Sequence, residues 1–232
     1  MRGVDSSTEG QKLELTWHGM LRRESCTDWY LAARDALADA ARAANWAAVF
    51  RVLKQEPSFV NGWRIGGTSW FTPLHQAAYH GASVSVVEQL LKVGAWRTVR
   101  SQSGERPADV AKRRGHARLA AHLRPARARR MSVETLERMQ RRLHDVMRHR
   151  IAALEGVLES LRLPELAPLT EYRHAKMWFA VPGMYGGFRF WLKGTAGRTT
   201  LVSESWCRVV EGSGERYEIT PDGAQLVDKG FV

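Results

Sequence analysis

Apolar residues recur every three or four positions in three successive blocks of the first half of the chain, and each block predicts a pair of short helices. In the middle block TPLHQAAYHG, residues 72–81, is followed by SVSVVEQLLKVGA, where Val84, Val87, Leu90 and Leu91 mark one helical face and Gly94 a stop. In the third, GERPADVAKRRGHARLAAHL, Pro107 and Gly115 stand 34 residues after Pro73 and Gly81 and repeat their layout. Upstream, DALADAARAANWAAVFRVLKQEPSFVN is a looser copy, with Asn45 at the break and Val49, Val52 and Leu53 facing inward. The pattern predicts three stacked helix–turn–helix units, near the minimum for a stack whose members bury their apolar faces only against neighbours.

Beyond residue 130 the helical period continues and then gives way to alternation. Val133, Leu136, Met139, Leu143, Val146, Met147, Leu154, Leu158 and Leu161 recur at threes and fours between Ser132, an N-cap, and Pro164, a stop. One amphipathic helix over 132–162 is predicted, about 45 Å long, whose stripe could pair with a second copy in a dimer. After Pro168, MWFAV, GGFRFWLK, TTLVSESWCRVV and ERYEIT read as four strands separated by PGMYGG, GTAGR and EGSG, with a TPDG turn following. The expectation is an α+β chain: a short helical-repeat stack, a long amphipathic helix and a small C-terminal antiparallel β-meander. Residues 1–24 are expected as a flexible N-terminal arm, apart from KLELTW, which reads as a short strand. The repeat domain is assigned to 25–125, the long helix to 126–165 and the β domain to 166–232. In the N-terminal cap of the repeats Ser25 and Asp28 have capping-box spacing, and Trp29 is placed to cover the first unit.

The residues 35–124 resemble an ankyrin-repeat array, carried above all by TPLHQAAYHG. Two departures are visible: Trp70 stands where that family has glycine before its turn, and NGWRIGGTSWF is longer than the usual connecting finger. The tail, with WCRVVEGSGERYEIT and LVDKGFV, is similar to one carried by bacterial ankyrin proteins, which implies an architecture and no activity. The resemblance implies that His75 is a scaffold residue bonding backbone and loops, with Thr72 as helix cap. It also implies partner-reading positions at Phe71, Tyr79 and His80 in the middle unit and at Glu105, Arg113 and Arg114 in the third.

Composition narrows the function classes. The net charge of +11 arises entirely between residues 97 and 150, where 16 Lys/Arg face 5 Asp/Glu. That belt reads first as a solvated basic face, and nucleic-acid binding ranks last because no recognition helix or base-stacking motif accompanies it. Nothing resembles a signal peptide or an apolar span of about 18 residues, so a cytoplasmic chain without membrane contact is expected. Cys26 and Cys207 have no metal-ligand spacing and read as free thiols. The histidines form no HExxH or HxH pattern, so neither a metal nor a cofactor is expected.

Candidate chemistry lies in the aromatic residues and the sheet. Of the nine tryptophans, Trp63, Trp70 and Trp96 fall in or beside connecting loops, where with Phe71 they are candidates for partner contact. Gly186 and Gly187 in MYGGF permit a bend or a close backbone approach, to a ligand among other things. Alternation along TTLVSESWCRVV separates Val202, Glu204, Trp206 and Arg208 from Leu201, Ser203, Ser205, Cys207 and Val209. In GGFRFWLK it separates Phe188, Phe190 and Leu192 from Arg189, Trp191 and Lys193, so Glu204, Trp206, Arg208 and Trp191 share a face. That face reads as an ion-pair ladder or as a pocket. The leading function is a binding module that recognises a protein partner through its concave and loop surface. The alternative is a cofactor-independent cyclase or isomerase acting on a hydrophobic small molecule in an aromatic cleft between the two halves, using Glu204, Arg208 and a tyrosine, Tyr79 or Tyr185.

Overall fold

The computed structural model describes residues 13–125, 128–195, 198–208 and 212–230. Among them the chain forms seven α-helices and one six-stranded mixed sheet, the α+β class expected. A first strand, β1 (Leu13–Thr16), precedes the helices α1 (Asp28–Arg42), α2 (Trp46–Gln55), α3 (Pro73–His80), α4 (Val84–Val93), α5 (Pro107–Arg113), α6 (Ala117–His122) and α7 (Val133–Ile151). Strands β2 (Ala175–Val181), β3 (Gly186–Lys193), β4 (Thr200–Cys207), β5 (Ser213–Ile219) and β6 (Ala224–Lys229) follow.

Local chemistry sets the helix ends. The Asn45, Thr72, Ser83 and Ser132 side chains accept the backbone N–H groups of Ala48, His75, Val86 and Thr135, satisfying donors that a first turn leaves open. Gly81 and Gly94 end α3 and α4 in the left-handed conformation, which costs glycine nothing. A core of Leu37, Val49, Leu53, Leu74, Leu90, Val110, Leu119 and Leu123 fills the space between the helix pairs.

The sheet runs in the order β1-β2-β3-β4-β5-β6, parallel only between β1 and β2. That pair is parallel because the chain passes through all seven helices before returning beside β1, the long crossover a parallel pair requires. Alternation works as expected: Met177, Phe179, Phe188, Phe190, Leu201 and Ile219 turn inward against Leu136, Met139, Leu143, Met147 and Ile151 of α7. Trp17, Trp63 and Trp96 belong to this same core, so the helical half is joined to the sheet by packed indoles.

At that joint the Arg162 guanidinium is buried with its centre 5.1, 4.6 and 4.5 Å from the ring centroids of Trp17, Trp63 and Trp70. Trp17 stacks on Trp96 at 5.9 Å, meets Trp63 edge-on at 5.7 Å and donates its indole N–H to the Arg162 carbonyl at 2.9 Å. Arg162 also donates to the Arg100 carbonyl at 2.7 Å and is bonded to Glu165. Glu165 accepts the Arg100 N–H at 3.2 Å, and Glu171 accepts Thr98 N–H and hydroxyl at 2.9 and 2.6 Å. Burial pushes both carboxyl groups above the usual range and Arg162 below its own.

Several expectations are corrected. The chain is not a free-standing ankyrin-type array: loops between its helix pairs insert Trp63 and Trp96 into a core shared with a mixed sheet. Part of the supposed arm is ordered structure, since Leu13–Thr16 pairs with β2 and residues 19–21 bond to 160–162. The rest of the arm, 1–12, lies outside the described residues, as does Val209. The long helix stops at Ile151, because 160–162 is drawn into pairing with 19–21, and Leu154, Leu158 and Leu161 reach the core from turns instead. Its stripe is covered by the sheet, so it offers no seam to a second copy. The four strands expected for the C-terminal sheet are joined by β6 and by β1, which falls in KLELTW, read as a short strand, and pairs in parallel. Ser25 ends a 3-10 turn, Thr27 stands before α1, and Trp29 is 61% exposed instead of covering the first pair.

Replacing Arg162 by Met leaves the Glu165 carboxyl buried without its cation. The variant is expected to lose about 3–5 kcal/mol in urea denaturation, and Arg162→Met/Glu165→Gln to recover a measurable part of it. A loss below about 1 kcal/mol for the single variant would show that the guanidinium is dispensable to the joint.

Candidate functional site

A groove of about 520 Å³ opens between α1, α3 and the loop 62–71. Helix α1 contributes Arg34, Leu37, Ala38, Ala41 and Arg42; the loop contributes Arg64, Trp70 and Phe71 among others; α3 contributes Pro73, Gln76, Tyr79 and His80. Three arginines line it and, among the described residues, no carboxylate does. Arg64 is held at the rim by Asp35, 3.2 Å away, and Asp39. Phe71 stacks on His75 at 5.3 Å and meets Tyr79 edge-on at 6.3 Å, and the Arg114 guanidinium lies 4.3 Å over the Tyr79 ring. Aromatic faces and cations therefore alternate along one strip.

Two imidazoles, the buried His75 beneath the strip and the half-buried His18, tie the elements together. Nδ1 of His75 accepts the Thr72 N–H at 3.3 Å, so Nε2 carries the proton and donates it to the Glu105 carbonyl at 3.1 Å, linking α3 to the next helix pair. His18 donates from Nε2 to the Ser58 carbonyl at 2.9 Å and accepts at Nδ1 from the Tyr30 hydroxyl, which itself accepts from Arg34 at 2.9 Å. Arg34 reaches on to the Trp63 carbonyl and lies over the Tyr30 and Phe59 rings at 5.6 and 5.4 Å. Burial lowers His75 to about 4 and, with the Arg34 charge adding to it, His18 to about 3. Both rings are neutral braces near pH 7.

The expected site residues fall into four places. Trp70, Phe71, Tyr79 and His80 line the groove, His80 donating to the Arg42 carbonyl at 2.9 Å. Arg114 joins them through Tyr79, whereas Arg113 and Glu105 bind each other bidentately at 2.7 and 3.0 Å, which raises the one and lowers the other. Trp63 and Trp96 are each 2% exposed, so they are core and not partner contacts. Trp191 and Trp206 lie on the outer sheet face, Trp191 beneath Lys176 at 4.0 Å and Trp206 beneath Arg189 at 5.5 Å.

The outer face carries an ion-pair ladder. Across it the register aligns Trp178, Arg189, Glu204, Arg216 and Asp228, and Glu204 bonds to Arg216 at 2.8 Å instead of Arg208. Of the four candidate catalytic groups, Tyr79 is in the groove, Glu204 in the ladder, and Arg208 with Tyr185 at the β2–β3 hairpin; they do not converge. An aromatic cleft of about 560 Å³ does separate the halves, lined by Trp17, Met20, Trp29, Tyr30, Val181 and Tyr185, and only Tyr185 of the four reaches it.

Part of the basic belt is engaged in structure. Arg129 donates to the Arg173 and Gly194 carbonyls at 2.7 and 2.9 Å, Arg138 pairs with Asp222 at 2.7 Å, and Arg150 donates to Ser213 and lies 3.6 Å from Glu215. These arginines strap the helical half and α7 to the sheet. Cys26 and Cys207 are free thiols, as expected, and among the described residues no cluster of His, Cys, Asp or Glu could hold a metal ion. No helix among them is long and apolar enough to cross a membrane.

Sequence reasoning missed Arg34, Arg162, Trp17 and Trp178. For Trp178 a signal existed: alternation in MWFAV separates it from Met177 and Phe179 and sets it on the face of Arg189. Arg34 and Arg162 carry none, since each is one arginine among 28, in stretches that look solvated.

No protein-family model matches the chain, and no curated protein matches it either. With a seven-helix, six-strand mixed architecture and no relative to carry it, the ankyrin resemblance is without support and is set aside.

The neutral imidazoles make the fold acid-sensitive. Their folded values lie below the unfolded value of 6.5, so their contribution is complete above pH 6.5 and is lost as the pH falls toward about 4 for His75 and about 3 for His18. For His75, which faces Glu105, Asp109 and Arg162, the loss should be about 3 kcal/mol near pH 4. Glu165 and Glu171, with raised values, act in the opposite sense, so the check is a difference between chains. Urea midpoints from pH 7 to about 4.5 should fall less steeply for His75→Gln than for wild type; parallel curves would contradict the assignment.

Proposed function

We propose that this chain is a binding module whose groove between α1, α3 and the loop 62–71 takes an extended, acidic segment of a partner protein that carries an aromatic or aliphatic anchor. The observation that carries this reading is the lining: Trp70, Phe71 and Tyr79 beside Arg34, Arg42 and Arg64, with no carboxylate among the described residues that line it. Aromatic and arginine side chains are the groups that dominate interface energetics, because they combine large contact area with fixed geometry. The Asp35 and Asp39 carboxylates pair with Arg64 and Arg23 and offset part of their charge, which leaves Arg34 and Arg42 as the lining cations that complement Asp or Glu. The floor of Leu37, Ala38, Ala41 and Pro73 supplies the apolar seat for an anchor side chain.

Selection from a random peptide library, followed by fluorescence anisotropy, tests the reading. The selected peptides should be rich in Asp and Glu around one large apolar residue, and should bind about tenfold more weakly to Tyr79→Ala and to Arg42→Ala. Affinity should drop with added salt, as for exposed charge pairs. Selection of neutral or basic sequences, or unchanged affinity in both variants, would refute it.

A further inference from the structure

At the hairpin end of the sheet, on its outer face, lies a second concave site that the groove does not use. It has a volume of about 570 Å³ and is lined by Trp178, Tyr185, Gly186, Arg189, Trp206 and Arg208. We infer that this pocket binds a mononucleotide, with the base against Trp206 and Tyr185 and the phosphate between Arg208 and Arg189.

The side-chain row of the sheet that passes through Trp206 is otherwise low. The cross-strand row Ala180, Gly187, Trp206, Gly214 carries one large side chain among small ones. A side chain cannot be accommodated at Gly187: its φ is +156°, and a Cβ there would stand 2.1 Å from the Phe179 carbonyl oxygen. Gly187, opposite Trp206 in the register, therefore stays without a side chain. Trp178 flanks it with its ring 6.2 Å from that of Trp206, at 46°. Tyr185 forms the lip: it is 78% exposed and sits at φ +49°, a left-handed conformation that costs a residue with a side chain on the order of 1 kcal/mol. A glycine or asparagine would hold that turn at less cost, so the phenol is an exposed aromatic ring with no packing role to account for it.

Charge singles out the same corner. Elsewhere on this face the cations are answered: Arg216 by Glu204 and Asp228, Lys193 by Glu218, Lys229 by Glu215, and Lys176 by the Trp191 ring. Arg208, anchored by its backbone N–H to the Met184 carbonyl at 2.8 Å, has no side-chain partner among the described residues. Arg189 lies beside it, ion-paired through Nε to Glu14 at 3.1 Å and set over the Trp206 ring at 5.5 Å. Two guanidinium groups suit a phosphate, which accepts several charge-assisted bonds at once. A flat π face next to them suits a base, whose stacking on aromatic side chains is worth about 1–3 kcal/mol. The volume lies in the range that small ligands occupy.

The experiment is titration of the whole chain with AMP, adenosine, ribose 5-phosphate and glucuronate, followed by calorimetry and by tryptophan fluorescence. The expected result is binding of AMP with fluorescence quenching, and binding at least about tenfold weaker for adenosine and ribose 5-phosphate, each lacking one half of the recognition. Arg208→Gln and Tyr185→Ala, both at exposed positions, should each weaken AMP at least about fivefold while leaving the melting temperature unchanged. No heat or quenching with AMP at about 5 mM, equal affinity in both variants, or binding of glucuronate in preference to AMP would overturn the assignment.

Discussion

A buried guanidinium surrounded by indoles holds this molecule together. Arg162 is out of water, bonded to Glu165 and the Arg100 carbonyl, and enclosed by Trp17 from the segment after β1 and by Trp63 and Trp70 from the loop 62–71. An isolated buried cation would be prohibitively costly, and the electron-rich indole faces supply what a single carboxylate and carbonyl do not. The arrangement leaves no room for variation nearby. Gly19, whose carbonyl accepts the Arg162 N–H, would place a Cβ 2.6 Å from the Arg162 carbonyl oxygen and 2.6 Å from the Phe179 ring.

The same joint shapes the proposed groove. Trp70 caps Arg162 on one side and lines the groove on the other, and it does so at φ +54°, a conformation that persists only where surrounding contacts determine it. The loop 62–71 is consequently fixed at both ends: Trp63 lies in the core, its carbonyl accepts from Arg34, and Phe71 stacks on the bonded His75 ring. A loop held in this way loses little conformational entropy on meeting a partner, which is the physical meaning of preorganisation. The extra length of NGWRIGGTSWF thus has a structural reason: it carries two indoles to the joint and returns with two aromatic residues at the groove.

Legibility in the sequence followed the range of the interactions. Helix breaks, stops and caps such as Asn45, Gly81, Gly94 and Ser132 act within a turn or two, and local pattern reading located them, whereas Ser83 as the cap of α4 went unread. The inward and outward faces of β3 and β4 were equally visible, because a period of two needs no tertiary knowledge. What escaped depended on contacts between distant segments. The parallel pairing of β1, the end of α7 at Ile151 and the burial of Trp63 and Trp96 all follow from the meeting of 13–21 with 160–178. Glu204 was placed on the correct face but given the wrong partner, since alternation identifies a row on one strand and only the register of β5 brings Arg216 opposite.

Net charge is a poor guide to this surface for a related reason. Arginine here is mainly a structural residue: Arg129, Arg138 and Arg150 strap the halves together, Arg34 and Arg162 brace the interior, and Arg113 closes on Glu105. The planar guanidinium suits these tasks because it can bond to several carbonyls in its own plane while stacking on a ring, which an ammonium group does less well. The excess of +11 concentrated in one belt therefore includes cations that hold the fold as well as cations that face solvent. The cations relevant to recognition are those next to aromatic rings in concave places, Arg42 and Arg114 along the groove and Arg208 at the hairpin, and two of those three lie outside or at the very edge of any region that charge density alone would select.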